Sequence, residues 1–203
     1  MSSPIVNSYT FPLYPQDVDA SQQLRIVSLT SMLLNVAGLA ARENGFGSVG
    51  MMERGVTWVL SRFSCAMLSQ PQQYDTLHID TWVEDYGRLV TTRNFVLHDA
   101  DGRELGQARS LWALIDMNTR HPVDMQTDYP YLLHYATGVA IDLPRPGKIG
   151  EVHADVSKRH CVTYSDVDFN RHANSAKYLE WMLDAMNPDY LLTHHARRFT
   201  LNY

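Results

Sequence analysis

Apolar residues between positions 25 and 42 recur at three- and four-residue steps, the spacing of one face of an α-helix. This face consists of Ile26, Leu29, Leu33, Val36, Ala37 and Ala40. No proline interrupts the segment, and the glycine-rich stretch at 45–50 ends it. The pattern therefore predicts one long helix in the first quarter of the chain.

Four later segments contain alternating stretches rich in Val, Thr, Trp and Phe, as half-buried β-strands do. They are residues 56–68, 75–84, 88–99 and 104–116. The "DADG" at 99–102 has the composition of a hairpin turn. We therefore predict an α+β domain in which an antiparallel sheet wraps the long helix.

The pattern weakens after Met117, where prolines punctuate the chain and "DLPRPGKIG" has the composition of a linker. We predict an N-terminal domain at 1–120, a linker at 121–155 and the start of a second domain at 156–203. Within this second domain, 160–168 is predicted to be a strand entering a turn. Residues 175–186 are predicted to form a helix closed by Asn-Pro, and the final "RRFTLNY" to form a strand.

An internal repeat links the two domains. Residues 14–37 align without a gap with residues 163–186, at an offset of 149. The alignment places Asp17-Val18-Asp19 on Asp166-Val167-Asp168. Self-similarity in a turn followed by a helix indicates two copies of one domain in the chain.

The two copies differ at two polar positions. Ser21 and Gln23 of the first copy stand where the second copy has Asn170 and His172. The first copy therefore keeps the turn and lacks the ionisable ring. If only the turn were required, both copies could have used the same residues. The difference therefore favours a catalytic role for the second copy.

The second copy is shorter than the first in this sequence. Four strands follow the first predicted helix, but only one strand follows the second. A sheet without its other three strands would expose a helix face and open edges. We therefore expect the second copy to be truncated here and to continue beyond Tyr203.

Composition narrows the class of protein. The 203 residues carry a net charge of -5, and the charged fraction of 19% lies below the usual level of about 25%. This argues against disorder and against a nucleic-acid partner. No signal peptide is recognisable, and the apolar stretch 26–41 is too short to span a bilayer, so we expect a soluble, cytoplasmic protein without a membrane partner.

Several segments resemble the acyl-acyl carrier protein (ACP) thioesterases, tandem hot-dog enzymes that release fatty acids from their carrier. The resemblance covers nearly the whole chain and is most specific in "YSDVDFNRHANSAKYLEWML" at 164–183. The other segments are "GFGS" (45–48), "VTWVLSRF" (56–63), "DTLHIDTWVE" (75–84) and "RSLWALIDMNTR" (109–120). It implies two hot-dog units, each a long helix wrapped by an antiparallel sheet.

The resemblance also implies a catalytic site. It assigns catalysis to Asp168, Asn170 and His172, with a further acidic residue expected beyond Tyr203. We predict that His172, together with a carboxylate, activates the attacking water. Asn170 and the helix start near Ser175 would polarise the thioester. The implied partner is an acyl carrier protein with its phosphopantetheine-linked chain, and no metal and no other cofactor is expected.

Substrate-binding residues are predicted with less support. In the first domain, where the family holds the fatty chain, ordinary core packing is an equal alternative for each candidate: Met32, Val36, Trp58, Trp82 and Trp112. Arg197 and Arg198 could meet the carrier protein or its pantetheine arm, although short basic pairs are usually solvated surface. A hot-dog acyl-CoA thioesterase and a non-catalytic acyl- or carrier-binding module stay open as alternatives, and so does a homodimer.

Other motifs carry less weight. "GFGSVG" at 45–50 matches the dinucleotide-binding glycine pattern, but it follows a helix and precedes a strand, so we interpret it as a loop. No G-x-S-x-G motif or metal-ligand spacing is present. Cys161 is expected to be a buried structural thiol rather than a nucleophile paired with a histidine.

Overall fold

The computed structural model describes residues 5–154 and 156–203. The helices are α1 (Ile26–Glu43), α2 (Ser48–Met52), α3 (Met125–Asp128), α4 (Ser175–Asp184) and α5 (Pro188–Thr193). The strands are β1 (Asn7–Pro12), β2 (Val56–Met67), β3 (Thr76–Tyr86), β4 (Thr91–His98), β5 (Glu104–Asp116) and β6 (Arg198–Asn202). Short 3-10 turns lie at Pro15–Asp17, Pro130–Tyr135 and Tyr164–Asp166. Residues 1–4 of the first predicted domain, and residue 155 at the end of the predicted linker, lie outside the described residues.

The structure confirms the predicted long helix, the four central strands, the second helix and the final strand. It adds β1, α2, α3 and α5, which the sequence patterns did not reveal. The strand predicted at 160–168 is wrong, because the segment before the 3-10 turn forms no strand and 164–166 form the turn itself. In the first copy the corresponding segment, β1, is held as a strand by pairing with β3.

All six strands form one antiparallel sheet in the order β1-β3-β4-β5-β2-β6. The helix α1 lies on one face of this sheet. Its apolar residues pack there against alternate residues of the strands, since successive side chains of a strand point to opposite faces. Gly45, at φ +82°, allows the chain to leave the helix: the backbone N–H of Phe46 donates back to the carbonyl of Ala41 at 2.9 Å.

The second copy is joined to the first through both sheet and core. Strand β6 pairs with β2, with Ser64 opposite Thr200. Helix α4 lies beside α1, and its Leu179 is buried in the same apolar cluster as Leu33. The N-terminal part of the second copy is thus fixed against the first.

The face of the sheet opposite α1 is covered by the segment that connects the copies. A buried ion pair on this face joins the Arg109 guanidinium to Glu84 at 2.8 Å, and Asn94 donates to the same carboxylate at 2.9 Å. The Asn94 carboxamide also donates to the carbonyl of Val139 at 3.0 Å. Arg145 pairs with Glu84 at 2.8 Å, so polar contacts hold the connecting segment across the strands.

Candidate active site

The turn between Asp168 and His172 is held by its own backbone. The Asp168 carboxylate accepts hydrogen bonds from the backbone N–H of Asn170 at 2.8 Å and of His172 at 3.1 Å. The backbone N–H of Asp168 donates to the carbonyl of His172 at 2.8 Å. Arg171 lies in the left-handed region at φ +62°. This arrangement fixes where the side chains of residues 170 and 172 leave the backbone.

The first copy contains the same turn. The Asp19 carboxylate accepts from the backbone N–H of Ser21 at 2.8 Å and of Gln23 at 3.2 Å. The N–H of Asp19 donates to the Gln23 carbonyl at 2.9 Å, and Gln22 has φ +64°. Isolated β-bridges close both turns, at Val18–Leu24 and Val167–Ala173, which differ by the offset of 149. The repeat is therefore a repeat of backbone geometry as well as of sequence.

The side chains differ in hydrogen bonding at the first variable position, whereas at the second Gln23, like His172, makes no side-chain hydrogen bond in the described residues. The Ser21 hydroxyl donates to the Asp19 carboxylate at 2.6 Å, so the turn itself uses it. The side chains of Asn170 and His172 make no hydrogen bond to any residue that the structure describes. His172 is exposed and Asn170 is half-buried. These two groups are thus available to a ligand.

Helix α4 begins just beyond the turn. The Asn174 side chain caps it by accepting from the backbone N–H of Ala176 at 2.9 Å. The first N–H groups of a helix have no partner within the helix and favour a negative charge. The predicted site therefore combines an imidazole, a carboxamide and a helix N-terminus within eight residues of chain.

The Asp168 carboxylate hydrogen-bonds to the backbone of its own turn. Its carboxylate oxygen Oδ1 contacts backbone N–H groups of the turn, including that of His172, and no hydrogen bond to the His172 ring is present in the described residues. Because Asp19 makes the same contacts in the first copy, this carboxylate organises the turn.

A cluster that the sequence patterns did not reveal lies just before the turn. Asp166 is 4% exposed, and its carboxylate is contacted by His160 at 3.1 Å and by Lys177 at 3.8 Å. The backbone N–H of Thr163 and the nearby His160 lower the pKa of Asp166 to about 2. The repeat carried a usable signal, since the first copy has Phe11 where this cluster has His160.

The structure separates the five predicted acyl-pocket residues. Val36 is buried in the cluster between α1 and the sheet, and Met32 and Trp112 pack against that cluster. Trp58 belongs to a neighbouring cluster, where its indole N–H donates to the carbonyl of Phe46 at 2.9 Å.

Trp82 is the exception among them. It stands opposite Asn94 on β4, whereas the adjacent Thr81 stands opposite the core residue Phe95. Trp82 therefore points away from α1, and its indole N–H donates to the carbonyl of Val139 at 2.7 Å. Trp82 thus lies on the opposite face of the sheet from Val36, under the connecting segment.

The two predicted basic residues, Arg197 and Arg198, lie in different surroundings. Both arginines are exposed, but Arg197 lines a cleft of about 650 Å³ between the first-copy turn and α5, together with His194, His195 and Gln23. Arg198 stands in β6 opposite Ala66.

The two cysteines differ in burial. Cys161 is exposed, so the expectation of a buried thiol there is wrong: the segment that carries it is not covered by a paired strand. Cys65 is the buried one, and burial raises its pKa to about 12. Among residues 5–154 and 156–203, no group of three or more His, Cys, Asp or Glu side chains could hold a metal ion. The described helices include none that is both long and apolar enough to cross a membrane.

Comparison with known proteins places this geometry in a family. The family model for the acyl-ACP thioesterase N-terminal domain matches residues 5–132, and that for the C-terminal domain matches residues 150–203. The chain belongs to the acyl-ACP thioesterase family. The resemblance noted in the sequence is thereby confirmed, and the turn bearing Asn170 and His172 falls within the C-terminal match.

Solved structures support the fold. The acyl-ACP thioesterase of Bacteroides thetaiotaomicron superposes with a TM-score of 0.89 at 36% identity, covering 98% of this chain and 80% of that one. The 12:0-ACP thioesterase of Umbellularia californica gives a TM-score of 0.77 at 24% identity, covering 98% and 81% of the two chains. The predicted α+β class and hot-dog fold are confirmed.

Curated relatives are longer than this chain. The chloroplastic acyl-[acyl-carrier-protein] hydrolase FATB2 of Cuphea viscosissima is 29% identical over 84% of this chain and 43% of its own length. The chloroplastic oleoyl-acyl carrier protein thioesterase of Coriandrum sativum is 25% identical over 92% and 55%. The chain thus spans about half the length of the curated relatives it matches.

Proposed function

We propose that this protein hydrolyses the thioester that joins a fatty acyl chain to the phosphopantetheine arm of acyl carrier protein. Membership of the acyl-ACP thioesterase family supports the proposal, and the similar proteins are named as hydrolases of acyl carrier protein thioesters. One structural observation carries it furthest. Two turns share one backbone geometry, but only the second carries an imidazole, and its Asn170 carboxamide is unused by the fold whereas the corresponding Ser21 hydroxyl bonds to Asp19.

In this proposal His172 is the general base. Its ring accepts a proton from water while the water oxygen attacks the thioester carbonyl carbon. The carbon–sulfur bond then breaks, and the protonated imidazole returns the proton to the departing thiolate. The products are a free fatty acid and the carrier's pantetheine thiol. An imidazole suits this exchange because its charge changes near neutral pH.

Asn170 and the N-terminus of α4 stabilise the negative charge on the carbonyl oxygen. A carboxamide N–H and the uncapped N–H groups of a helix both donate towards an oxyanion. Asp168 acts through the backbone, because its carboxylate holds the N–H groups of Asn170 and His172. It therefore sets the position of both reacting side chains.

The carrier protein is the proposed partner, and the pantetheine arm is the only cofactor that the reaction needs. Arg197 supports a contact with the carrier, because it is exposed and lines the cleft beside α5 with two histidines. A hot-dog acyl-CoA thioesterase and a non-catalytic acyl-binding module are the rival functions. The cytoplasmic location and the homodimer stay predictions.

A thiol-release assay distinguishes these functions. The wild-type protein and His172→Ala are each given acyl thioesters of acyl carrier protein and of coenzyme A at several chain lengths. We expect faster release from the carrier thioesters, and His172→Ala should lower turnover by at least about a hundredfold. Preference for coenzyme A would select the first rival, and carrier binding without thiol release the second. Near-normal turnover by His172→Ala would contradict the mechanism.

Gln23→Ala is the matched control, because Gln23 occupies the position of His172 in the first copy. It changes the same turn position without touching the proposed base. We expect its kcat to stay close to that of the wild-type protein; a change confined to KM would instead reflect the place of Gln23 in the cleft that Arg197 lines.

A further inference from the structure

The Asp166 carboxylate joins three segments of the second copy. Its Oδ2 accepts from the backbone N–H of Thr163 at 2.8 Å and lies 3.1 Å from the ring nitrogen Nε2 of His160. Its Oδ1 lies 3.8 Å from the ammonium of Lys177, in the first turn of α4. One buried group thus ties the incoming segment, the 3-10 turn and the helix together.

The His160 and Lys177 side chains are themselves held from α4. The His160 ring stacks on Trp181 with a centroid distance of 4.4 Å and an interplanar angle of 29°. The Lys177 ammonium lies 2.9 Å from Glu180, one turn further along the helix. These contacts limit the freedom of both side chains, so the carboxylate is held from two sides.

The first copy has the equivalent carboxylate, Asp17, but no counterparts of His160 and Lys177. Asp17 accepts from the backbone N–H of Tyr14 at 2.9 Å, as Asp166 does from Thr163. Subtracting the offset of 149 from positions 160 and 177 gives positions 11 and 28, which are Phe11 and Ser28. In the described residues Asp17 makes no ion pair within 4.0 Å.

The turn does not need His160 and Lys177 in order to form. Its backbone hydrogen bonds in the two copies agree to within 0.2 Å, as do the contacts that the two turn carboxylates accept. The first copy achieves this geometry with a phenylalanine and a serine at the two positions. The His160 and Lys177 side chains therefore support a role that is specific to the second copy.

We propose that Asp166, held by His160 and Lys177, is a positioning residue that fixes the 168–172 turn against the start of α4. The side chains of Asn170 and His172 leave the turn on one side of this junction, and the helix N–H groups begin on the other. Rotation of the turn relative to the helix would separate the base from the oxyanion donors. The inference rests on the proposed function, and it adds three residues to the site as positioning groups.

The double variant His160→Phe/Lys177→Ser gives the second copy the residues of the first. Because the first copy folds its turn with these residues, we expect native circular dichroism. Turnover of an acyl carrier protein thioester should fall about tenfold through kcat, since misplacement by about an ångström is costly, while KM stays within about twofold. Lys177→Arg keeps the charge and should retain most of the activity.

Backbone hydrogen exchange gives a readout that does not depend on activity. The N–H of Asn174, which joins the start of α4 to the carbonyl of Asp166 at 2.8 Å, should exchange several times faster in the double variant. The N–H of Arg25, which donates to the carbonyl of Asp17 at 3.0 Å in the first copy, should not change, which makes it the internal control.

The two readouts separate the outcomes. Wild-type kcat in the double variant overturns the positioning role, even if the midpoint of thermal unfolding falls. Unchanged exchange at Asn174 overturns it as well. If the wild-type protein hydrolyses no acyl thioester, the proposed function fails, and the exchange measurement alone then decides the positioning role.

Discussion

Asp19 and Asp168 stand 149 residues apart and accept the same pair of backbone hydrogen bonds; Asp19 accepts one more, from the Ser21 hydroxyl. Each carboxylate accepts from the backbone N–H groups two and four residues further along, at 2.8 and 3.2 Å in the first copy and 2.8 and 3.1 Å in the second. Two residues in such equivalent surroundings should contribute similarly to folding. A difference in activity between variants of these two residues then measures the catalytic contribution of the second turn.

We expect Asp19→Ala and Asp168→Ala each to lower the free energy of unfolding by about 1–2 kcal/mol, because each leaves two backbone N–H groups without their acceptor. Only Asp168→Ala should abolish thiol release, since only its turn carries Asn170 and His172. Denaturant unfolding and the thiol-release assay, run on both variants, check the two parts. Equal loss of activity in both variants would contradict the asymmetry between the copies.

The predicted acyl pocket can be tested through the two faces of the sheet. Met32 packs on the α1 side, whereas Trp82 lies on the opposite face under the connecting segment. We expect Met32→Ala to change the ratio of kcat/KM between acyl chains that differ by two carbons by about three- to tenfold, the value of one or two buried methylenes. Trp82→Phe should leave that ratio unchanged. A shift caused by Trp82→Phe alone would place the pocket on the other face.

Two buried arginines should behave oppositely when their charge is removed. Arg109 is paired with Glu84 at 2.8 Å, so Arg109→Met leaves a buried carboxylate with fewer partners and should cost about 3 kcal/mol. Arg93 is 4% exposed and has one side-chain hydrogen bond in the described chain, to Thr81 at 3.2 Å; burial lowers its pKa to about 10. Thr81 keeps its own bond to the carbonyl of Asn94 at 2.8 Å.

Arg93→Met should therefore cost no stability, because it removes a charge that the fold buries without a carboxylate partner. Denaturant unfolding of both methionine variants measures the difference. If Arg93→Met destabilised the protein as much as Arg109→Met, the Arg93 guanidinium would have a stabilising partner that these contacts do not show.

Periodicity predicted the elements whose pattern is long enough to be unambiguous. The helix from Ile26 and the strands β2–β5 belong to this group. Helix α5 was missed because Asn187-Pro188 was interpreted only as the end of α4. The same pair starts α5: the Asn187 side chain accepts from the N–H of Asp189 at 2.9 Å, and proline suits the first helical position. One dipeptide thus performs both functions, and local composition does not distinguish them.

The site was predictable only as far as the repeat and the resemblance reached. Comparing the copies singled out Asn170 and His172, since they differ where the backbone does not. Alternation along β3 distinguishes two faces but does not show what covers each, so the sequence did not reveal that Trp82 lies under the connecting segment. The sequence did not indicate His160, because its contact with Asp166 depends on how the segment before the turn folds back onto α4.

The depressed pKa of Asp166 predicts how stability depends on pH. The backbone N–H of Thr163 and the His160 side chain hold this pKa at about 2 in the folded protein, below the ordinary value of 3.8. A carboxyl whose pKa is lower in the folded than in the unfolded state stabilises the fold above the unfolded value. That contribution is lost as the pH falls from about 4 to about 2.

Asp166→Asn isolates this contribution, because the carboxamide oxygen can still accept from Thr163 but carries no charge. We expect the wild-type protein to unfold at a higher temperature than the variant near neutral pH. The gap should be constant down to about pH 5, narrow below about pH 4 and close by about pH 2. Thermal unfolding at a series of pH values measures it. A gap that stays constant into the acid range would mean that the charge of Asp166 does not stabilise the fold.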